Sequence, residues 1–290
     1  MTIKLSRNDV IKSLTSKGED YELSLQTLYG RDCRTFVNGP QTLRDLFEQS
    51  RSGETFIVYE DERITYEQAY LRASRIACLL MDECGVMKGD RVAISMRNYP
   101  EWILSFMAIT SIGAIAVAMN SLWTAEEMAF GLSDSGAKVL FADEERLLRI
   151  APVRQKLAIK ILAVRSTLSL ESGIVDLHSE LEKIEECPMP EVEVTPFDDA
   201  TLMYTSGSTG HPKGAVACHR NVVTSLMSWE LEANIGRVLN NLEPAVLPYQ
   251  AATLLAVPLF HATGLLAALL LSFRAQRKVV ARYKRGVGLA

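Results

Sequence analysis

Hydrophobic and polar positions along this chain switch repeatedly between a period of two and a period near 3.6. From residue 55 a run of alternating, β-rich residues predicts a strand at 55–59, and Glu60-Asp61-Glu62 a turn. Thr65 with Gln68 three residues later makes a helix start. The stripe Tyr66, Ala69, Tyr70, Ala73, Ile76, Ala77 and Leu80 carries that helix to just before Gly85. The alternation then continues. Strands are predicted at 91–96, 114–119, 138–142 and 159–164. Helices are predicted from Pro100 to about 112, from Thr124 with its partner Glu127 to near Gly136, and over 143–157. A short helix is expected at 42–50, and residues 1–40 show little periodicity.

Prolines 188, 190 and 196 mark 187–197 as an extended linker. Past it the pattern predicts strands at 215–218, 253–257 and 278–281, with helices at 221–235 and 265–273. Strands alternating with helices at this spacing imply an α/β fold of layered, mostly parallel sheets with covering helices. Residues 102–123 and 244–273 contain no Asp, Glu, Lys or Arg. Gly113 divides the first, and Pro248, Pro258, His261 and Gly264 break the second, so both predict buried core in preference to a membrane span. A run of basic residues after the second (Arg274, Arg277, Lys278, Arg282, Lys284, Arg285) leaves peripheral membrane contact as a weaker alternative.

Composition changes this picture little. The 290 residues are 48% hydrophobic and 23% charged, enough apolar material for a sizeable core. A net charge of −4 argues against nucleic acid as partner. The five cysteines (33, 78, 84, 187 and 218) are scattered without metal-ligand spacing. They predict reduced thiols and no structural zinc. No basic-then-apolar leader pattern opens the chain.

The chemistry concentrates in Thr201–Gly214, TLMYTSGSTGHPKG. An apolar strand end opens into a segment with hydroxyls at Thr205, Ser206, Ser208 and Thr209, glycines at Gly207, Gly210 and Gly214, and one cation, Lys213. Glycines let successive backbone N–H groups turn toward an anion, hydroxyls add donors, and the lysine adds charge. This predicts a phosphate cradle, but not a Walker loop, which needs Gly directly before its Lys and Ser or Thr after it. About fifty residues on stands Pro258-Leu-Phe-His-Ala-Thr-Gly264. A histidine in such an apolar stretch is by itself more often a core residue.

Taken together, the two strings resemble the signatures of the adenylate-forming superfamily, in the acyl-CoA synthetase branch. Softer likeness extends over about residues 40–285, including Ile64–Glu67 and Ser133–Leu140. The resemblance implies activation of a carboxylic acid, fatty or aryl, by ATP to an acyl-adenylate and then to acyl-CoA, with Mg²⁺ and CoA. It assigns Thr205, Ser206, Gly207, Ser208, Thr209, Gly210, Lys213 and Gly214 to the nucleotide phosphates. Phe260 and His261 are assigned to the acyl substrate, His261 also as the catalytic residue, and both are expected on the same side of the sheet as the phosphate loop. It further implies an N-terminal extension over 1–40, an AMP-binding domain over 41–290, and an intracellular place, cytoplasmic, peroxisomal or membrane-peripheral. The family's Thr-Glu segment, ribose aspartate, hinge and C-terminal lysine would lie beyond residue 290. The chain is therefore expected to be the N-terminal part only, incomplete for catalysis. The alternative is a non-catalytic remnant that binds phosphate, an acyl chain or a protein partner weakly.

Overall fold

The computed structural model describes residues 5–28, 30–205, 212–243 and 247–282. The first forty residues are more ordered than their pattern suggests. Helix α1 (Arg7–Leu14) precedes an antiparallel hairpin of β1 (Leu23–Leu28) and β2 (Arg31–Phe36). Then come α2 (Leu43–Gln49), β3 (Thr55–Tyr59), β4 (Glu62–Thr65) and α3 (Tyr66–Cys78), which runs on as a π-helical turn over Leu79–Glu83. The middle of the chain alternates strictly: β5 (Arg91–Ser95), α4 (Pro100–Ser111), β6 (Ile115–Ala118), α5 (Ala125–Ser135), β7 (Val139–Asp143), α6 (Glu144–Ile150) and β8 (Lys160–Val164). The helix expected over 143–157 thus ends early. Short β9 (Ile174–Asp176) and α7 (Leu177–Glu182) follow, neither of them anticipated.

Beyond an extended segment lie β10 (Asp199–Thr205), β11 (Lys213–Cys218) and the long α8 (His219–Leu239). Last are β12 (Ala252–Leu254), a π-helical segment over Thr263–Leu270 continuing into α9 (Leu271–Arg274), and β13 (Lys278–Ala281). The helix starts follow from sequence. At Thr42, Thr65 and Thr124 the hydroxyl accepts from the amide three residues on, and that residue's side chain accepts from the threonine's own amide.

Two principal sheets result. Seven strands order as β11-β10-β6-β5-β7-β8-β9, all parallel except the β10–β11 pair. Four order as β12-β13-β3-β4, parallel up to β3. In the larger sheet the period of two sorts side chains between two cores. Val92, Ile94, Val139, Phe141, Leu162 and Val164 join the large core with α3 and α4. Ala93, Leu140, Ala142, Ile161 and Ala163 join a second core under α5 and α6. Within the charge-free run at 102–123, α4 and β6 are buried as expected, whereas Leu122 beyond them is exposed. The strand expected at 253–257 is shorter and only half covered, because among the described residues β12 has a neighbouring strand on one side alone.

The linker is pinned. Arg44 donates to Pro190 O at 2.7 Å, and Lys88 pairs with Asp198 at 2.8 Å. Against the expectation of reduced, scattered thiols, Cys78 at the end of α3 is joined to Cys187 in a disulfide across 109 residues of sequence. No helix among the described residues is long and apolar enough to cross a membrane.

Candidate active site

Because β5, β6 and β10 run parallel, their carboxyl ends share one edge, where ligands gather in open α/β sheets. Thr205 is the last residue of β10 and pairs with Lys213, the first of β11. The two therefore form the mouth of the predicted phosphate loop. Ser206, Gly207, Ser208, Thr209 and Gly210 lie outside the described residues. Lys213 is exposed, and its ammonium has no ion-pair partner among the described residues, so its charge is available to an anion. Gly214 is tightly placed. A Cβ there would come within 3.1 Å of the Leu202 side chain.

Phe260 and His261 follow β12, in the smaller sheet, whereas the loop belongs to the larger one. Asn98 brings the two together. It lies just past the carboxyl end of β5, donates to Val257 O at 3.0 Å and accepts from Leu259 N–H at 3.0 Å. The segment before Phe260 is thereby fastened to the edge from which the β10–β11 hairpin projects. β5 and β10 flank β6, so they stand about 10 Å apart in the sheet. Phe260 is buried and His261 exposed, with ring centroids 4.4 Å apart. His261 N–H donates to Pro258 O at 3.1 Å, and its carbonyl accepts from Leu265 N–H at 2.9 Å. Gly264 makes the turn feasible, since a Cβ there would sit 2.2 Å from Pro258 O.

Four of the predicted phosphate and acyl residues, Thr205, Lys213, Phe260 and His261, thus border one edge. Asn98 was missed from the sequence. Its only signal is a polar residue directly after a buried parallel strand. Another histidine, His219, opens α8 fully buried, with Nδ1 accepting from Leu43 N–H at 3.0 Å. Burial holds its pKa down at about 4, so it is neutral and structural.

A family model for AMP-binding enzymes matches residues 46–285. The chain belongs to this family. As an AMP-binding chain of the adenylate-forming superfamily it is 34% identical over 210 residues to the long-chain-fatty-acid–CoA ligase FadD13 of Mycobacterium tuberculosis. That match covers 71% of this chain and 37% of the relative. It is 30% identical over 217 residues to a 4-coumarate–CoA ligase of Vanilla planifolia, covering 74% of this chain and again 37% of the relative. The AMP-binding chain thus spans well under half the length of these curated relatives. Among solved structures, the N-terminal domain of FACL13 from Mycobacterium tuberculosis superposes with a TM-score of 0.67 at 27% identity, over 83% of this chain and 56% of that one. The anthranilate CoA ligase AuaEII, in complex with anthranoyl-AMP, shares the fold with a TM-score of 0.70 at 24% identity, over 82% of this chain and 44% of that one.

Proposed function

We propose that this chain supplies the phosphate-holding and acyl-facing part of an acid–CoA ligase. In that reaction a carboxylate oxygen attacks the α-phosphorus of ATP and pyrophosphate leaves. The CoA thiolate then attacks the acyl carbonyl and AMP leaves. An anion attacking an anion requires fixed positive charge and donors at the polyphosphate. Lys213 and Thr205, with the segment between them, meet that need. His261, exposed beside the buried Phe260 ring, orients the carboxylate or gates its pocket. Mg²⁺ would neutralise the phosphates. Among the described residues no cluster of three or more His, Cys, Asp or Glu could hold a metal ion, so none is assigned to it. Fatty and aryl acids are the substrate classes favoured, by likeness to ligases for long-chain fatty acids and 4-coumarate.

The observation that carries this reading is the Asn98 clamp, which brings the Phe260–His261 turn to the carboxyl edge bearing the exposed Lys213. The test is MgATP binding to the chain and to Lys213→Ala, by calorimetry. The variant should bind about tenfold more weakly, the scale of one lost charge-assisted contact. Equal affinity would overturn the reading. Carboxylate-dependent pyrophosphate release, assayed with fatty and aryl acids, separates turnover from the second reading, weak binding without chemistry. Exposed Leu247 and Tyr249 before β12, and Leu254 at its end, favour that second reading through contact with a protein partner.

A further inference from the structure

The strand that launches the hairpin overruns its neighbour. β10 pairs with β6 only over Thr201–Met203, so Tyr204 and Thr205 extend past the end of β6. On the other side lies β11, an edge strand whose residues 213–216 are exposed. The backbone ladder therefore leaves the hairpin mouth supported from one side by an unsupported strand. A side chain supplies what the ladder does not. The Tyr204 hydroxyl donates to the Asp134 carboxylate at 2.7 Å and lies 3.1 Å from Gly131 O. Burial first, then the Asp134 carboxylate, raise its pKa above that of a free phenol, so it remains a donor at neutral pH.

The Tyr204 ring stands edge-on to Trp123, with centroids 5.2 Å apart at 63°. Trp123 is itself immobilised. Its carbonyl accepts from Arg149 at 3.0 Å, and the neighbouring Ser121 carbonyl accepts from Arg149 at 2.8 Å and from Arg146 at 2.6 Å. Arg146 is fully buried and paired with Asp143 at the end of β7. On α5, Gly131 admits the indole, since a Cβ there would lie 2.5 Å from Trp123 Cζ3. One continuous chain of contacts thus runs from the buried Arg146–Asp143 pair to the phenol next to Thr205.

We propose that Trp123 and Asp134 are positioning residues which, through Tyr204, fix the Thr205–Lys213 mouth of the phosphate loop. The proposal rests on the ligase reading only for what the loop holds. Its test is amide hydrogen exchange across the 290-residue chain, with calorimetric MgATP titration alongside. Asp134→Ala and Tyr204→Phe should each speed exchange at Thr205, Lys213 and Gly214 about tenfold, the scale of one lost hydrogen bond to a charged group. Amides of Val92–Ile94 in the same sheet should be unchanged. Asp134→Asn retains an oxygen acceptor and should stay near the unmodified chain, which simple loss of stability does not predict. The double variant Tyr204→Phe/Asp134→Ala should be no worse than Tyr204→Phe alone, because losing the hydroxyl already removes its contact with Asp134. ATP affinity should follow the same order. Unchanged exchange at the mouth, equal acceleration through the whole sheet, or an Asp134→Asn chain as fast as Asp134→Ala would each overturn the proposal. If Lys213→Ala leaves ATP affinity intact, the ligase reading falls while the exchange result still decides the anchor.

Discussion

Residues 102–123 and 247–273 look alike on paper, each free of charged side chains, yet the second begins with an exposed portion before it turns into the core. In the first, every position of α4 from Trp102 to Ser111 is buried, and so is the whole of β6. In the second, Leu247, Tyr249 and Leu254 are 46%, 68% and 66% exposed. Neighbours account for the difference. α4 packs against α3 and against both β5 and β6, and β6 lies between β10 and β5. β12 has β13 alone. An apolar run reports what a segment is able to bury, and the fold decides whether partners stand on both sides.

The sharpest test of that contrast is deletion of a ring from the covered stretch. Phe106 is fully buried, stacked on Trp102 at 5.6 Å and edge-on to Phe47 at 6.5 Å. Phe106→Ala should cost about 3–5 kcal/mol, lost transfer energy plus an unfilled cavity. Urea denaturation would show it as a lower midpoint with an unchanged slope. A loss under about 1 kcal/mol would mean that α4 is not the packed centre described above.

The same contrast divides two histidines. His219 is buried with its pKa depressed from 6.5 to about 4, while His261 is exposed. Because the unfolded chain binds a proton to His219 more readily than the folded one does, stability falls as pH drops from 6.5 toward 4. The slope is about 1.4 kcal/mol per pH unit, roughly 3 kcal/mol over the window. His219→Asn keeps an acceptor for Leu43 N–H and has no such titration. Its stability difference from the unmodified chain, measured at pH 7 and at pH 5, should shift in the variant's favour at the lower pH. A difference that stays constant would show that His219 titrates normally.

In the second stretch the backbone turn before the last helix offers a smaller, local test. Gly264→Ala drives a methyl group into the Pro258 carbonyl, a backbone atom that cannot turn away. A cost of about 1–3 kcal/mol is expected, together with displacement of the Phe260–His261 turn. Fluorescence-monitored unfolding reads the first. The second would appear as changed exposure of the His261 ring to diethyl pyrocarbonate. A neutral Gly264→Ala would place Pro258 farther from the helix start than the fold indicates.

Much of this architecture was legible in the chain. Thr65-Gln68 and Thr124-Glu127 mark helix starts by local chemistry, and Gly136, at φ 61°, ends α5 as a left-handed cap. Such signals lie within a few residues. What stayed hidden depends on contacts distant in sequence. Asn98 meets residues about 160 positions away, and Cys78 meets Cys187 across 109. Of the candidate site, residue types at 205–214 and 258–264 led to the phosphate and acyl proposal. That two different sheets bring Thr205 and Lys213 and the Phe260–His261 turn to one edge could not be read from spacing.

The smallest effect on stability should come from the open edge itself, and it carries the most specific signature. Leu254 is the last residue of β12, pairs with Val280 across the ladder, and is largely exposed. Leu254→Lys removes little buried area, so its stability should stay within about 0.5 kcal/mol of the unmodified chain. Self-association should respond far more, because a bare apolar strand edge is a template for another strand and a lysine there blunts it. Light scattering against protein concentration should show the variant remaining dispersed where the unmodified chain associates. Two outcomes would break the comparison. A loss of stability on the scale of Phe106→Ala would mean that Leu254 is covered in solution. Unchanged association at unchanged stability would mean that the contact surface lies elsewhere, with the exposed β11 edge at Val216 the next strand to substitute.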